Sequence, residues 1–226
     1  MILNIETSST YCSVALCDAG AVVFSLESDS EMDHSVKLAP FVERCMTELR
    51  NRNLSLDAVA VSLGPGSYTG LRIGLSFAKG LCFGLNIPLI GVSTLEVLAV
   101  KAMFNNLDFN ENQLYVPMID ARRMEVYTAV YDIGLQPLMP PTPLILTPDS
   151  YSQFDSHPLI FIGNGVEKAR DFLQVPPSKW IDSMPIAADM MALSEKAFRN
   201  KDYLDLAYST PLYLKNFHAT TPKNKL

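Results

Sequence analysis

Apolar and polar positions recur along this chain in two periods, and they predict strands and helices in alternation. "MILNIETSS" is a short apolar run that ends in a Thr/Ser cluster, the pattern of a strand entering a polar turn. "CSVALCDAGAVVFSLES" reads as two strands joined at Asp18-Ala19-Gly20, where turn chemistry is supplied. Over "DHSVKLAPFVERCMTELR" the residues Leu38, Phe41, Val42, Cys45, Met46 and Leu49 share one side at helical spacing. Lys37, Glu43, Arg44, Thr47 and Glu48 share the other. The spacing predicts an amphipathic helix capped by Asp33 and kinked at Pro40, whose ring meets the carbonyl of Val36.

"LDAVAVSLGPGSYTG" predicts a strand running into a glycine-rich turn, followed by a helix from about Tyr68 to Gly84. "IPLIGVS" predicts a buried strand and "TLEVLAVKAMF" a further helix. The polar "NNLDFNENQ" marks a lobe boundary, giving expected units of 1–105, 106–215 and a tail of 216–226. "LYVPMIDARRMEVYTAVYD" repeats the opening theme of strand, polar turn and strand, a hint of internal duplication. "GLQPLMPPTPLILTP" predicts a rigid proline-rich connector with one edge-strand run. "HPLIFIGNGVEKARDFL" reads as strand, Gly-Asn-Gly turn and helix, "IAADMMALSEKAFRN" as a helix, and "TPLYLK" as a short extended piece. Strands alternate with helices throughout, so the class is α/β.

The glycine-rich helix changes this picture most. Gly70, Ile73, Gly74, Phe77, Leu81 and Gly84 fall on one side, and Leu71, Leu75, Ala78, Cys82 and Leu85 on another. Only a narrow strip with Arg72, Ser76 and Lys79 is polar, so more than one side must be covered. Each interior glycine costs up to about 1 kcal/mol relative to alanine, and close approach of another helix offsets that. The leucine side suits the protein's own sheet. The glycine–Phe77 side, with Leu38, Phe41, Val42 and Cys45, suits a partner helix, from this chain or from another.

Gly64-Pro65-Gly66-Ser67 opens this helix, and exposed N–H groups there favour an anion. The loop lacks the Gly-Lys-Ser/Thr of a nucleotide-triphosphate loop and the G-x-G-x-x-G spacing, so a turn capped by Ser67 or Thr69 stands beside the phosphate reading. Two carboxylates end strands at comparable places, Glu6 in "NIETSST" and Asp120 in "VPMID". With Ser8, Gly66, Ser67, Gly163 and Gly165 they can orient a nucleotide and hydrated Mg²⁺ between two lobes, or simply cap turns and pair with Arg122 or Arg123. His34, His157 and His218 are the three histidines, and none is paired at i, i+3 or i+4, so no metal site is expected.

Composition narrows the functions. The 226 residues carry a formal net charge of −6 and a pI of about 5.0. Residues 1–105 hold 7 basic and 10 acidic side chains and the remainder 11 and 14. Neither half is a basic platform, which disfavours direct, strong nucleic-acid binding. No signal peptide or membrane span is read, and the four scattered cysteines, none in a C-x-x-C pair, suggest buried thiols in a reducing, cytoplasmic compartment.

"ILNIETSSTYCSVAL", "LGPGSYTGLRIG", "AKGL", "IPLIGVSTLEVLA", "IDARRMEVY" and "PLYLK" together resemble the TsaB family, also called YeaZ, in order and over nearly the whole chain. The resemblance implies a two-lobed actin/Hsp70-like (ASKHA) ATPase fold with RNase-H-like lobes, each a mixed sheet flanked by helices. It implies a non-catalytic subunit of the machinery that forms N6-threonylcarbamoyladenosine next to the anticodon of tRNAs reading A-starting codons. The implied partners are the catalytic paralogue TsaD, in a heterodimer, and the ATPase TsaE, with a homodimer forming in isolation and tRNA met only through the complex. The implied interface is the face of Leu38, Phe41, Val42, Cys45, Gly70, Ile73, Gly74, Phe77, Leu81 and Gly84, and Gly74→Leu is expected to weaken heterodimerisation.

The departures from the catalytic pattern agree with that role. The paralogue carries a His-x-x-x-His metal pair where this chain has Thr94 and Leu98, neither a good ligand for Fe or Zn. Actin-like families begin with Asp where this chain has Glu6, and the extra methylene displaces the carboxylate. The expectation is no resident cofactor beyond weak ATP or ADP with Mg²⁺. A self-contained nucleotide-binding ATPase is the alternative. A peptidase, the activity once attached to the paralogues, finds no nucleophile–base pair here.

Overall fold

The computed structural model describes residues 1–28, 34–106 and 110–215. The expected cap Asp33, part of the polar boundary stretch, and the tail with His218 lie outside them.

The first sheet is built from β1 (Ile2–Glu6), β2 (Ser13–Asp18), β3 (Ala21–Glu27), β4 (Ala58–Gly64) and β5 (Leu89–Ser93), in the order β3-β2-β1-β4-β5. β1 runs antiparallel to β2 and parallel to β4, with Leu3 opposite Leu16 on one side and Val59 on the other. The second sheet holds β6 (Leu114–Asp120), β7 (Glu125–Tyr131), β8 (Pro137–Ile145), β9 (Leu159–Ile162) and β10 (Lys179–Ile181), in the order β10-β9-β6-β7-β8. Its pairings repeat those of the first, antiparallel β6–β7–β8 and parallel β6–β9–β10. The echo in the sequence is therefore a repeated topology. Glu6 and Asp120 close equivalent strands, and the two glycine turns follow equivalent strands. This is the two-lobed architecture that the resemblance implies.

Alternation explains the layers. Leu3 and Ile5 of β1, with Val59 and Val61 of β4, face a core shared with α1 (His34–Asn51) and α2 (Tyr68–Leu85). Ile2, Ala58 and Ala60 face the opposite side. α1 continues through Pro40 to Asn51, with Pro40 on its exposed face, where a missing amide is least costly. α3 (Thr94–Asn105) is apolar almost all round because it lies between the sheets. Leu95, Leu98, Ala99 and Ala102 pack on Tyr115, Ile119, Ile160 and Ile162 of the second sheet, while Val97 packs with Ile90 and Val92 of the first. α4 (Val166–Arg170) covers the far face of the second sheet through Val166 and Ala169.

One expectation needs correction. The boundary at 105/106 assigns residues 106–215 to the second lobe, yet Met190 and α5 (Met191–Asn200) pack on the first sheet through Leu193, Ala197 and Phe198. The chain crosses back after β10, and α5 covers the face of the first sheet that α1 and α2 leave open. The edge-strand run expected in the proline-rich stretch is the nine-residue strand β8. Its four prolines are tolerated because an edge strand has one side with no partner to receive an N–H. β10 went unread because three residues carry no period. Among the described residues no helix is long and apolar enough to cross a membrane.

Candidate functional site

The two repeats face each other across a cleft of about 960 Å³. Its walls come from the β1–β2 turn (Ser8–Thr10), the β4–α2 loop, the start of α3, the β6–β7 turn (Asp120–Arg123) and residues 212–215. Of the residues expected at a nucleotide site, Ser8, Gly66, Ser67 and Asp120 line this cleft. Glu6, Gly163 and Gly165 do not, although Asn164 between the two glycines does.

Glu6 lies behind the wall, fully buried. Its Oε1 accepts the Ser8 N–H at 2.5 Å and the Ser62 hydroxyl at 3.0 Å, while Oε2 has no partner. Burial pushes its carboxyl up to about 7, against the hydrogen bonds from Ser8 and Ser62 that favour the charged form. Asp120 is committed elsewhere. Its Oδ1 takes the Lys168 ammonium at 2.7 Å and the Arg122 N–H at 2.6 Å. Lys168 also donates to the carbonyls of Arg123 and Glu125, stapling the β6–β7 turn from α4. Arg122 and Arg123 both adopt left-handed backbone, at φ 68° and 49°, and line the cleft. Lys168 was missed from sequence; its place in "GNGVEKAR", right after the second glycine turn, was the available signal.

The glycine turns hold the walls at close range. A Cβ at Gly66 would stand 2.4 Å from the Ser8 carbonyl oxygen, and one at Gly163, where φ is 124°, 2.1 Å from that of Met118. Each turn therefore packs on backbone beside the first strand of its own repeat. Ser67 caps α2, its N–H donating to the Ser8 carbonyl at 2.7 Å and its hydroxyl accepting from the Gly70 N–H at 3.2 Å. The loop thus spends donors on its own fold. Polar groups without a partner remain in the cleft wall, the hydroxyls of Ser8 and Thr94, both in buried residues. Thr94 and Leu98, where the resemblance places a histidine pair in the paralogue, are buried, Leu98 packing in the core between α3 and the second sheet. Among the described residues no group of three or more His, Cys, Asp or Glu is placed to hold a metal. His34 Nε2 sits 3.2 Å from the Tyr11 carbonyl and His157 Nδ1 3.1 Å from that of Asn112.

The expected partner face splits in two. Leu38, Val42 and Cys45 are buried in the protein's own core. Gly70 and Gly74 are buried against the end of β1, where a Cβ would lie 2.1 Å from the Thr7 carbonyl oxygen and 2.2 Å from Thr7 Oγ1, respectively. These five cannot meet a partner. Phe41, Ile73, Phe77 and Leu81 are half-buried, and Gly84 is exposed. Beside them stand Gly80 and Gly84, with open space where a Cβ would be, and Phe83, 81% exposed.

Sequence and structure comparisons place these features among known proteins. The family described as "TsaD: tRNA N6-adenosine threonylcarbamoyltransferase" matches residues 28–209. The tRNA threonylcarbamoyladenosine biosynthesis protein TsaB of Escherichia coli (strain K12) is 30% identical over 223 residues, 95% of this chain and 94% of that protein. The TsaB of Bacillus subtilis (strain 168) is 32% identical over 177 residues, 76% of this chain and 75% of that one. The structure of YeaZ from Pseudomonas aeruginosa superimposes with a TM-score of 0.76 at 27% identity, covering 94% of this chain and 99% of that one.

Proposed function

The chain belongs to the TsaB (YeaZ) family, within the wider TsaD family, and from that premise we propose that it is a non-catalytic scaffold subunit in the biosynthesis of tRNA threonylcarbamoyladenosine. Its partner in this reading is the catalytic paralogue TsaD, with TsaE joining the pair. A homodimer takes its place when the paralogue is missing, and tRNA is met only through the assembly.

The observation that carries this reading is the outward face of α2. A Cβ at Gly80, inside α2, or at Gly84, in its last turn, would meet nothing within 4 Å among the described residues, and Phe83 is almost fully in water. Gly80 costs up to about 1 kcal/mol of helix stability relative to alanine, and no close approach among the described residues offsets it. A second helix laid across Gly80 and Gly84 would offset it, with Phe41, Ile73, Phe77 and Leu81 completing an apolar seam. Thr94 and Leu98 support the non-catalytic part, since neither supplies a metal ligand of the expected kind.

The test is threonine incorporation into tRNA in a reconstituted system. It holds the cognate TsaD, TsaE and threonylcarbamoyl-adenylate, with and without this chain, plus this chain without TsaD. The reading expects incorporation only when both subunits are present. Transfer by this chain without TsaD overturns it.

A second reading, a nucleotide-binding ATPase, is favoured by the cleft itself, whose lining brings Ser8 and Thr94 together with Arg122 and Arg123. The carboxylates do not fit a Mg²⁺ role. Glu6 is buried with a raised pKa and Asp120 is paired with Lys168, so neither offers a free carboxylate to a hydrated Mg²⁺. Heat on titrating ATP into the isolated chain supports this second reading; none at millimolar ATP removes it.

A further inference from the structure

Most walls of the cleft are the ends of strands and helices, or the turns between them. Residues 183–185 form one irregular wall and residues 212–215 another. The second of these belongs to a strap that leaves α5 and returns across the mouth of the cleft. Its first part is fixed to the first sheet. The Leu204 N–H donates to the Leu89 carbonyl at 2.8 Å, at the start of β5. Lys79 on α2 donates to the carbonyls of Ala207 and Ser209, and Asp205 accepts the N–H groups of Ala207 and Tyr208 at 2.8 Å each. That stretch is held by its backbone at several points.

Beyond Ser209 the ties thin out. The Leu212 N–H donates to the Leu63 carbonyl at 2.8 Å, at the end of β4. The Tyr213 ring lies 5.1 Å from that of Tyr68, tilted by 33°. Lys215 then reaches across to the Glu125 carboxylate on β7, in the second sheet. The lysine is 40% exposed and the Glu125 side chain 17%, so the tie opens to solvent at its lysine end, where salt screens it. Among the described residues the strap therefore runs from a firmly bound stretch in one repeat to one electrostatic tie on the other.

We propose that residues 212–215 are a displaceable wall of the cleft, latched shut by the Lys215–Glu125 ion pair and turning after Pro211, which is buried and stays in place. Opening the latch frees the Leu212 amide and takes residues 212–215 out of the lining they share with Ser8, Ser9 and Thr94, while leaving the Leu204–Ser209 anchor in place. The device is independent of the scaffold reading, because it concerns access to the cleft whatever occupies it.

Amide hydrogen exchange on the full chain tests this, comparing Lys215→Gln, Glu125→Gln and the double variant at low salt. Each single change is expected to speed exchange of the Leu212 amide by about threefold to tenfold, with Leu204 unchanged and the double no faster than either single. High salt is expected to produce the same acceleration in the parent protein. A cysteine placed at Ser9, on the cleft wall, reports access, because the four native cysteines are buried. Its labelling is expected to quicken in the same variants. The proposal is overturned if Leu212 exchange is unmoved, if Leu204 accelerates with it, if the two single effects add, or if Leu212 opens while Ser9→Cys labelling stays constant.

Discussion

Gly74 lies directly on Thr7, so that a Cβ at position 74 would stand 2.2 Å from Thr7 Oγ1. This relationship changes what a substitution on α2 reports. Thr7 is fully buried between β1 and α2. Even with its hydroxyl turned away, Thr7 Cβ would stand 3.3 Å from the added carbon, so a larger side chain must push on the end of β1. Gly74→Leu is therefore expected to destabilise the isolated protein by about 1–3 kcal/mol or more through overpacking. Thermal unfolding of the chain without any partner checks it. An unchanged midpoint would show that helix and turn separate easily.

Gly80 gives the opposite outcome. With open space around its Cβ position, Gly80→Ala is expected to stabilise the chain by about 0.5–1 kcal/mol, through reduced freedom of the unfolded state. Gly80→Leu and Gly84→Leu are expected to leave folding intact and to weaken association with the paralogue by tenfold or more, on the order of 1.4 kcal/mol. A titration followed by calorimetry decides between this face and the Gly74 side. Equal affinity in both variants removes α2 from the interface.

Glu6 predicts a pH dependence of stability. Its folded pKa of about 7 stands above the ordinary 4.5, so between those values the folded state binds more protons than the unfolded. The protonated carboxyl contributes stability that is fully present below about pH 4.5 and lost as the pH rises through 7. The loss is on the order of 3 kcal/mol. Glu6→Gln keeps an acceptor for the Ser8 N–H and the Ser62 hydroxyl and has no proton to lose. It is expected to flatten the decline between pH 5 and about 8 in denaturant titrations. A slope identical to that of the parent would assign the decline to other groups.

The thiols offer a simple reading of the core. Burial pushes Cys12, Cys17 and Cys45 up to about 12 and Cys82 up to about 11. At pH 8 the native protein is expected to react with no thiol reagent on the timescale of minutes, and all four groups are expected to appear together on unfolding. Rapid reaction of one cysteine would reveal a local opening near its strand or helix.

Lys101 clamps the return crossing to the first sheet. Its ammonium lies 2.9 Å from Asp189 Oδ2 and donates to the Met184 carbonyl at 2.8 Å, with both side chains largely buried. Lys101→Met is expected to cost about 2–4 kcal/mol, because Asp189 is left buried without its counter-charge. Asp189→Asn in the same background is expected to recover part of that loss. Failure to recover would mean that the cost lies in the lost Met184 contact.

The sequence by itself determined the elements, their alternation and the repeat. Leu3 and Ile5, Val59 and Val61, and the leucine side of α2 announce their faces through period, which is a local property of the chain. The repeated theme of "NIETSST" and "MIDARR" places two carboxylates at comparable strand ends. Tertiary structure decided which of those groups are available. Glu6 is buried and Asp120 is held by a lysine 48 positions away. Gly70 and Gly74 share a helical side with Gly84, yet the first two are consumed by Thr7 and the last is open. A helical wheel records direction but not what stands opposite, and that depends on how far each turn of α2 lies from the end of β1. The place of α3 between two sheets, the return of α5 and the strap across the cleft likewise depend on contacts between distant residues, which no local pattern encodes.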